Sequence, residues 1–189
     1  MRVLRRIIGL CILLITTAWS LLGCNSETSV TPDPTPLVVW EYKNETAFDT
    51  VYPEGWVSDI LRQGILVFSP EEVAYELVPG PTMTVILEPP RGFADVEEAL
   101  DHFLEFGPLR QDYVITSEIK PIQLGQYEGL QVGVAREATE MFIAMKGVIT
   151  AAETGKSNIY YFVATAPEEQ WEQGWPQFLA ILQNVHFNE

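Results

Sequence analysis

Residues 158–166 read "NIYYFVATA", and residues 141–153, a few positions upstream, read "MFIAMKGVITAAE". Both stretches are rich in β-branched and aromatic residues, which predicts strands. Their alternating positions are apolar on both faces. A strand buried on one side would alternate apolar with polar, so this pattern predicts a sheet covered on both sides. The pentapeptide "TGKSN" at 154–158 lies between the two runs. It predicts a hairpin turn.

Outward from this pair the chain alternates strand-like and helical pieces. "DYVITSEI" (112–119) and "GLQVGVARE" (129–137) read as preceding strands, with a turn over Gly125 to Gly129. "ADVEEALDHFLEFG" (94–107) is a helix. Asp95 and Glu98 form an acidic capping box, Gly107 ends the helix, and Val96, Leu100, Phe103 and Leu104 make its apolar face. "TMTVILE" (82–88) and "GILVFS" (64–69) are strands. Between them, Ser69 as N-cap and Pro70 at the first helical position predict a short helix to Leu77. "AFDTVYPEGWVSDI" (47–60) holds a strand ending at Tyr52, a turn over Pro53-Glu54-Gly55, and then Trp56. Near the end, "PEEQWEQGWPQFLAIL" (167–182) puts Trp171, Trp175, Phe178, Leu179 and Leu182 at helical spacing. Pro176 predicts a break there, since an interior proline costs ~3 kcal/mol.

These features resemble the PsbP-like fold. The resemblance rests on Pro53, Gly55 and Trp56 in the early turn, on the capped helix before a run of antiparallel strands, and on Trp171-x-x-Gly174-x-x-x-Phe178 near the end. It spans roughly residues 47–187. That family includes the extrinsic PsbP protein of photosystem II, many bacterial lipoproteins and a nuclear Ran-binding protein. The resemblance implies an α+β domain with a central antiparallel sheet and helices on both faces. It carries over no metal site, because no ion-binding residue of PsbP matches a position here. A shared fold is a weak guide to function.

The amino terminus says where the protein resides. Arg2, Arg5 and Arg6 precede an apolar run from Ile7 to Gly23, followed by Cys24. A basic start, a short apolar core and small residues before a break make a secretory signal peptide. Leu21-Leu22-Gly23-Cys24 resembles the bacterial lipobox, which implies cleavage between Gly23 and Cys24 and a diacylglyceryl thioether on Cys24. Two acyl chains anchor stably where one does so only marginally. The expected organisation is a signal peptide over 1–23, a lipidated linker over 24–36 ending in "NSETSVTPDPTP", and one domain over 37–189. The expected location is a bacterial cell membrane or outer membrane, facing away from the cytoplasm.

Charge and chemistry narrow the function. The chain carries −15. Loss of Arg2, Arg5 and Arg6 removes three positive charges and no negative ones, leaving −18 on 24–189. Such a domain is repelled by phosphate backbones, which excludes nucleic acid as a natural partner. Cys11 departs with the signal peptide and Cys24 is acylated, so no disulfide is expected. No G-x-S-x-G elbow, phosphate-binding loop or EF-hand occurs, and His102 and His186 lack metal-ligand spacing. Both histidines read as solvated. Glu71-Glu72, Glu97-Glu98 and Glu168-Glu169 read as helix-start charges, favoured by the helix dipole. Trp171 and Trp175 read as core packing. Asn44-Glu45-Thr46 is a sequon without consequence in a bacterium. The sequence therefore predicts no catalytic residue, no metal, no cofactor and no enzyme. It predicts a monomeric, lipid-anchored accessory module for an unidentified protein of the membrane or envelope. The alternative is a small-ligand binder or hydrolase with scattered carboxylates and tyrosines, recognisable by a polar pocket of converging acids.

Overall fold

The computed structural model describes residues 40–42, 47–61, 65–88 and 92–188, with side-chain burial from residue 47 onward. The strands are β1 (Trp40–Tyr42), β2 (Phe48–Tyr52), β3 (Trp56–Ile60), β4 (Leu66–Pro70), β5 (Thr82–Glu88), β6 (Val114–Ile115), β7 (Lys120–Leu124), β8 (Tyr127–Arg136), β9 (Met145–Glu153), β10 (Ile159–Pro167) and β11 (His186–Phe187). The helices are α1 (Glu71–Glu76), α2 (Val96–Phe106) and α3 (Trp171–Gln183). An eight-stranded antiparallel sheet runs β3-β4-β5-β10-β9-β8-β6, with β7 also on β8. A three-stranded sheet, β1-β2-β11, stands apart from it.

β10 shows why both faces of the large sheet are covered. Ile159, Tyr161 and Val163 belong to one core with Ala99, Leu100 and Phe103 of α2. Tyr160, Phe162 and Ala164 belong to a second core with Phe178, Ile181 and Leu182 of α3, joined by Phe48 and Phe187 of the small sheet. Each fully buried side chain of this size contributes ~1.5–3 kcal/mol. The ring of Phe103 stacks on Tyr161 at 4.2 Å, and the Tyr161 hydroxyl donates to the Ala99 carbonyl at 3.0 Å. The architecture is α+β with helices on both faces of an antiparallel sheet, as the resemblance implies.

The capped helix forms as its sequence predicts. Asp95 accepts from the Glu98 amide at 2.9 Å, Glu98 accepts from the Ala94 amide at 2.6 Å, and the Gly107 amide closes the last turn on Phe103. Other segments differ. Ser69 is no cap: it is buried in β4 opposite Val57. The backbone takes over its role, because the Glu71 amide donates to the Gly55 carbonyl at 2.9 Å. Pro176 does not break α3, which is continuous through it. The proline is exposed, so the carbonyl that loses its amide partner lies on the solvent side. "DYVITSEI" contributes just the two residues of β6, and the pairing moves to β7, whose Pro121 is tolerated because β7 pairs with β8 alone. The turn before β8 is Gly125-Gln126, while Gly129 sits within β8 opposite Ala152. β9 begins at Met145, leaving residues 141–144 as a loop.

The registers define one end of the large sheet. Trp56 is opposite Pro70, Phe68 opposite Met83, Thr82 opposite Thr165, and Met145 opposite both Pro167 and Arg136. α1 and the start of α3 sit at this end. So does the entry of the chain: Trp40 pairs with Tyr52, one tight turn before Trp56.

Candidate binding groove

A groove of about 780 Å³ lies at that end. The turn at residues 54–55, α1, Pro81 and the first turns of α3 enclose it. Gly55, with φ of 77°, lets the chain pass from the small sheet into β3. Trp56 and Gly174 are buried at its base. The Trp56 ring meets Phe178 edge-on at 5.8 Å and 84°. Gly174 brings α3 close to Pro81, whose Cβ lies 3.3 Å from where a side chain would begin.

The lining is acidic on one side and amide-rich on the other. Glu54, Glu71, Glu72 and Glu76 face Gln170, Gln173 and Gln177, and Tyr75 stands on the rim. The carboxylates of Glu71 and Glu72 gain from the α1 dipole. No basic residue, histidine or cysteine is among the described lining residues. The groove therefore offers hydrogen-bond acceptors and a negative field, suited to a cationic or donor-rich surface. The acids line an open trough rather than converge: among the described residues no group of three or more His, Cys, Asp or Glu could hold a metal ion.

A second hollow, about 320 Å³, lies beside Trp171. Lys120 and Lys146 border it, and Lys146 is paired with Glu168 at 3.2 Å. Two of its polar side chains are committed to neighbouring strand groups. Ser117 accepts from the Gly133 amide at 2.8 Å, and Gln131 donates to Thr150 at 2.8 Å. At the far side of the same sheet end, the Arg136 guanidinium lies 4.8 Å from the Phe142 ring centroid and 5.5 Å from that of Tyr113. Burial pushes the Tyr113 phenol above its ordinary pKa, opposed by Arg136 and reinforced by Asp112.

The residues singled out in the sequence are scattered. Gly23, Cys24 and the sequon at 44–46 lie outside the described residues. His102 is half-buried, its ring 5.3 Å from Phe93 and 4.9 Å from Phe106, which corrects its reading as simply solvated. His186 is exposed on β11. Trp171 and Trp175 stack at 5.5 Å and pack against the α3-side core. Residues 154–158 form the β9–β10 turn. The groove itself was missed. Glu71 and Glu72 carried a sufficient explanation as helix-start charges, and nothing in the chain's linear order links them to Gln170 and Gln173.

No protein-family model matches the sequence, and no curated protein does. Solved structures do match. Cyanobacterial PsbP (CyanoP) from Synechocystis superposes with a TM-score of 0.58 at 11% identity, over 79% of this chain and 92% of its own. LpqN of Mycobacterium tuberculosis, involved in cell envelope biogenesis, gives 0.55 at 14% identity, over 80% and 92%. The Saccharomyces cerevisiae Ran-binding protein Mog1p gives 0.53 at 13% identity, over 81% and 97%. The chain has the PsbP-like fold. Within the PsbP-like fold, identities this low establish the architecture alone, so the groove must be read from this chain's own residues.

Proposed function

We propose that this protein is a lipid-anchored binding module that engages a protein partner outside the cytoplasm through the groove between α1 and α3. The groove carries the reading: it is large, open and acidic, with an exposed tyrosine at its rim, and it presents acceptors rather than a nucleophile with its base. The solved relatives are in keeping with a binding or accessory role, since one is a Ran-binding protein and another serves cell envelope biogenesis. The anchor rests on the lipobox-like ending at Cys24, and the domain is expected to be monomeric. Cys24→Ala should leave an unprocessed precursor that takes up no fatty-acid analogue; normal uptake removes the anchor. For the groove, the full chain is purified from its own membrane beside a Glu71→Lys, Glu72→Lys variant. Both positions are exposed, so the fold should survive. Recovery of the partner should fall roughly tenfold or more, equivalent to about 1.4 kcal/mol. Equal recovery from a variant with an unchanged melting curve rules out the groove as the docking site.

A further inference from the structure

The hollow beside Trp171 differs in charge from the rest of the surface. Among the described residues the basic side chains are Arg110, Lys120, Arg136, Lys146 and Lys156. Lys120 and Lys146 both line the hollow, and no carboxylate is among its described lining residues. The chain as a whole carries −15. A concavity that gathers scarce cations on so acidic a chain is complementary to an anion. At physiological salt a charge is felt over only ~8 Å, so the two lysines outweigh the distant acids.

The hollow is built into the large sheet. Val132 and Val134 of β8 belong to the α2-side core, so Gln131, Gly133 and Ala135 face the α3 side. On that face α3 covers β10, and the glycine and alanine of β8 leave space beside it. The segment at 116–117 is stitched to the floor. The Thr116 amide donates to the Gly133 carbonyl at 2.9 Å, and the Gly133 amide donates to the Ser117 hydroxyl at 2.8 Å. A Cβ on Gly133 would lie just 3.0 Å from the Thr116 hydroxyl oxygen, so glycine lets this wall sit so close. Trp171 forms another wall, braced by its stack with Trp175. The hollow is therefore preformed.

The lysines stand at diagonal corners. Lys120 of β7 is opposite Gln131, and Lys146 of β9 is opposite Ala135. Strand spacings put their backbones about 14 Å apart along β8 and about 10 Å apart across it. Their flexible stems let both ammonium groups reach inward. Lys120 has no ion-pair partner among the described residues. Lys146 pairs with Glu168, but the two side chains are 43% and 55% exposed, so the pair is weak and yields readily to another anion. Two lysines less one glutamate leave a charge of +1, which suits a monoanion.

Size and lining select the rest of the ligand. About 320 Å³ is at the small end of ligand cavities, ~300–1,000 Å³. Ser117 already donates to the Glu118 carbonyl, and Gln131 to Thr150. A polyhydroxylated ligand would give up water for few partners. An apolar body can rest on Ala135, Val148 and Trp171.

We propose that this hollow binds a small apolar carboxylate, its body against Trp171 and Ala135 and its carboxylate held by Lys120 and Lys146. The site is separate from the groove between α1 and α3 and does not depend on the anchor at Cys24.

Equilibrium dialysis tests this on the full chain in phosphatidylcholine nanodiscs, with empty nanodiscs as the blank. The probes are naphthoate and its uncharged amide, naphthamide. Naphthoate should bind saturably, one per chain, and naphthamide at least tenfold more weakly. A Lys120→Gln, Lys146→Gln variant should bind naphthoate at least tenfold more weakly with an unchanged melting curve, since neither side chain is buried. Ala135→Leu, which fills the floor, should abolish binding; should that variant fail to fold, the lysine variant decides. Recovery of a partner through the groove should be unaffected by the lysine changes. An acetylated tripeptide ending in a free phenylalanine carboxylate distinguishes the sources of the ligand. Competition tighter than naphthoate's own binding identifies a chain terminus, and weaker competition a free organic acid; either supports the site. Equal binding of acid and amide, binding indifferent to loss of both lysines, or no saturable uptake of naphthoate at millimolar concentration would each overturn the proposal.

Discussion

Phe178 shows how a single side chain joins the fold to the groove. It is fully buried, it meets Trp56 edge-on, and it lies within the tilted aromatic row that includes Trp171. Phe178→Ala removes a ring from a site walled by the sheet and by α3, where neighbours can collapse little. The expected loss is about 3–5 kcal/mol, read as a lower denaturant midpoint with the slope unchanged. An unchanged midpoint would show that α3 is not seated on the sheet through this ring. The burial of Phe178 was legible in the sequence, because its helical spacing with Trp171, Trp175 and Leu182 marks one apolar face. Ser69 was not. Its hydroxyl before a proline reads as a cap, and what displaces that reading is a backbone contact from Gly55, fourteen positions upstream. Non-local backbone partners leave no local signature.

Elements reveal a similar boundary. Helix α2 was readable end to end, since its cap, its stop and its apolar stripe are all local. Helix α3 was readable in its apolar face and misread at Pro176. The propensity cost is real, but Phe178, Ile181 and Leu182 beyond the proline are each essentially inaccessible, and their burial outweighs one lost hydrogen bond. The cost should therefore be recoverable. Pro176→Ala restores an amide donor on the solvent side, touching none of the buried residues, and is expected to stabilise by about 1–3 kcal/mol. A rise in melting temperature checks this, and a fall would mean that the proline ring itself contributes to packing. The strands followed the same rule. β9 and β10, apolar on both faces, were legible, whereas β7, with Lys120, Pro121 and Gln123, carries no strand pattern of its own and is a strand because β8 offers it an edge.

At the scale of the whole molecule, two cores on opposite faces of one sheet supply cohesion without cross-links. The cysteines both precede residue 25, and the domain beyond them has none. Stability must then come from apolar burial, opposed by a net charge of −15 for the chain. That balance makes calcium informative. A cation binding a preformed site in the native state raises stability by mass action, whereas a cation merely screening spread carboxylates acts as any salt does. The carboxylates of the groove are arranged along a turn and one helix face, and no described cluster of acids and histidines could enclose an ion. Thermal unfolding of the full chain in detergent, with a reductant present, should therefore give coincident curves with excess chelator and with millimolar calcium at matched ionic strength. A calcium-specific shift of several degrees, absent with magnesium or sodium, would show that carboxylates of the chain converge on an ion. If the charge reversal at Glu71 and Glu72 abolished that shift along with partner recovery, the groove would be the cation site.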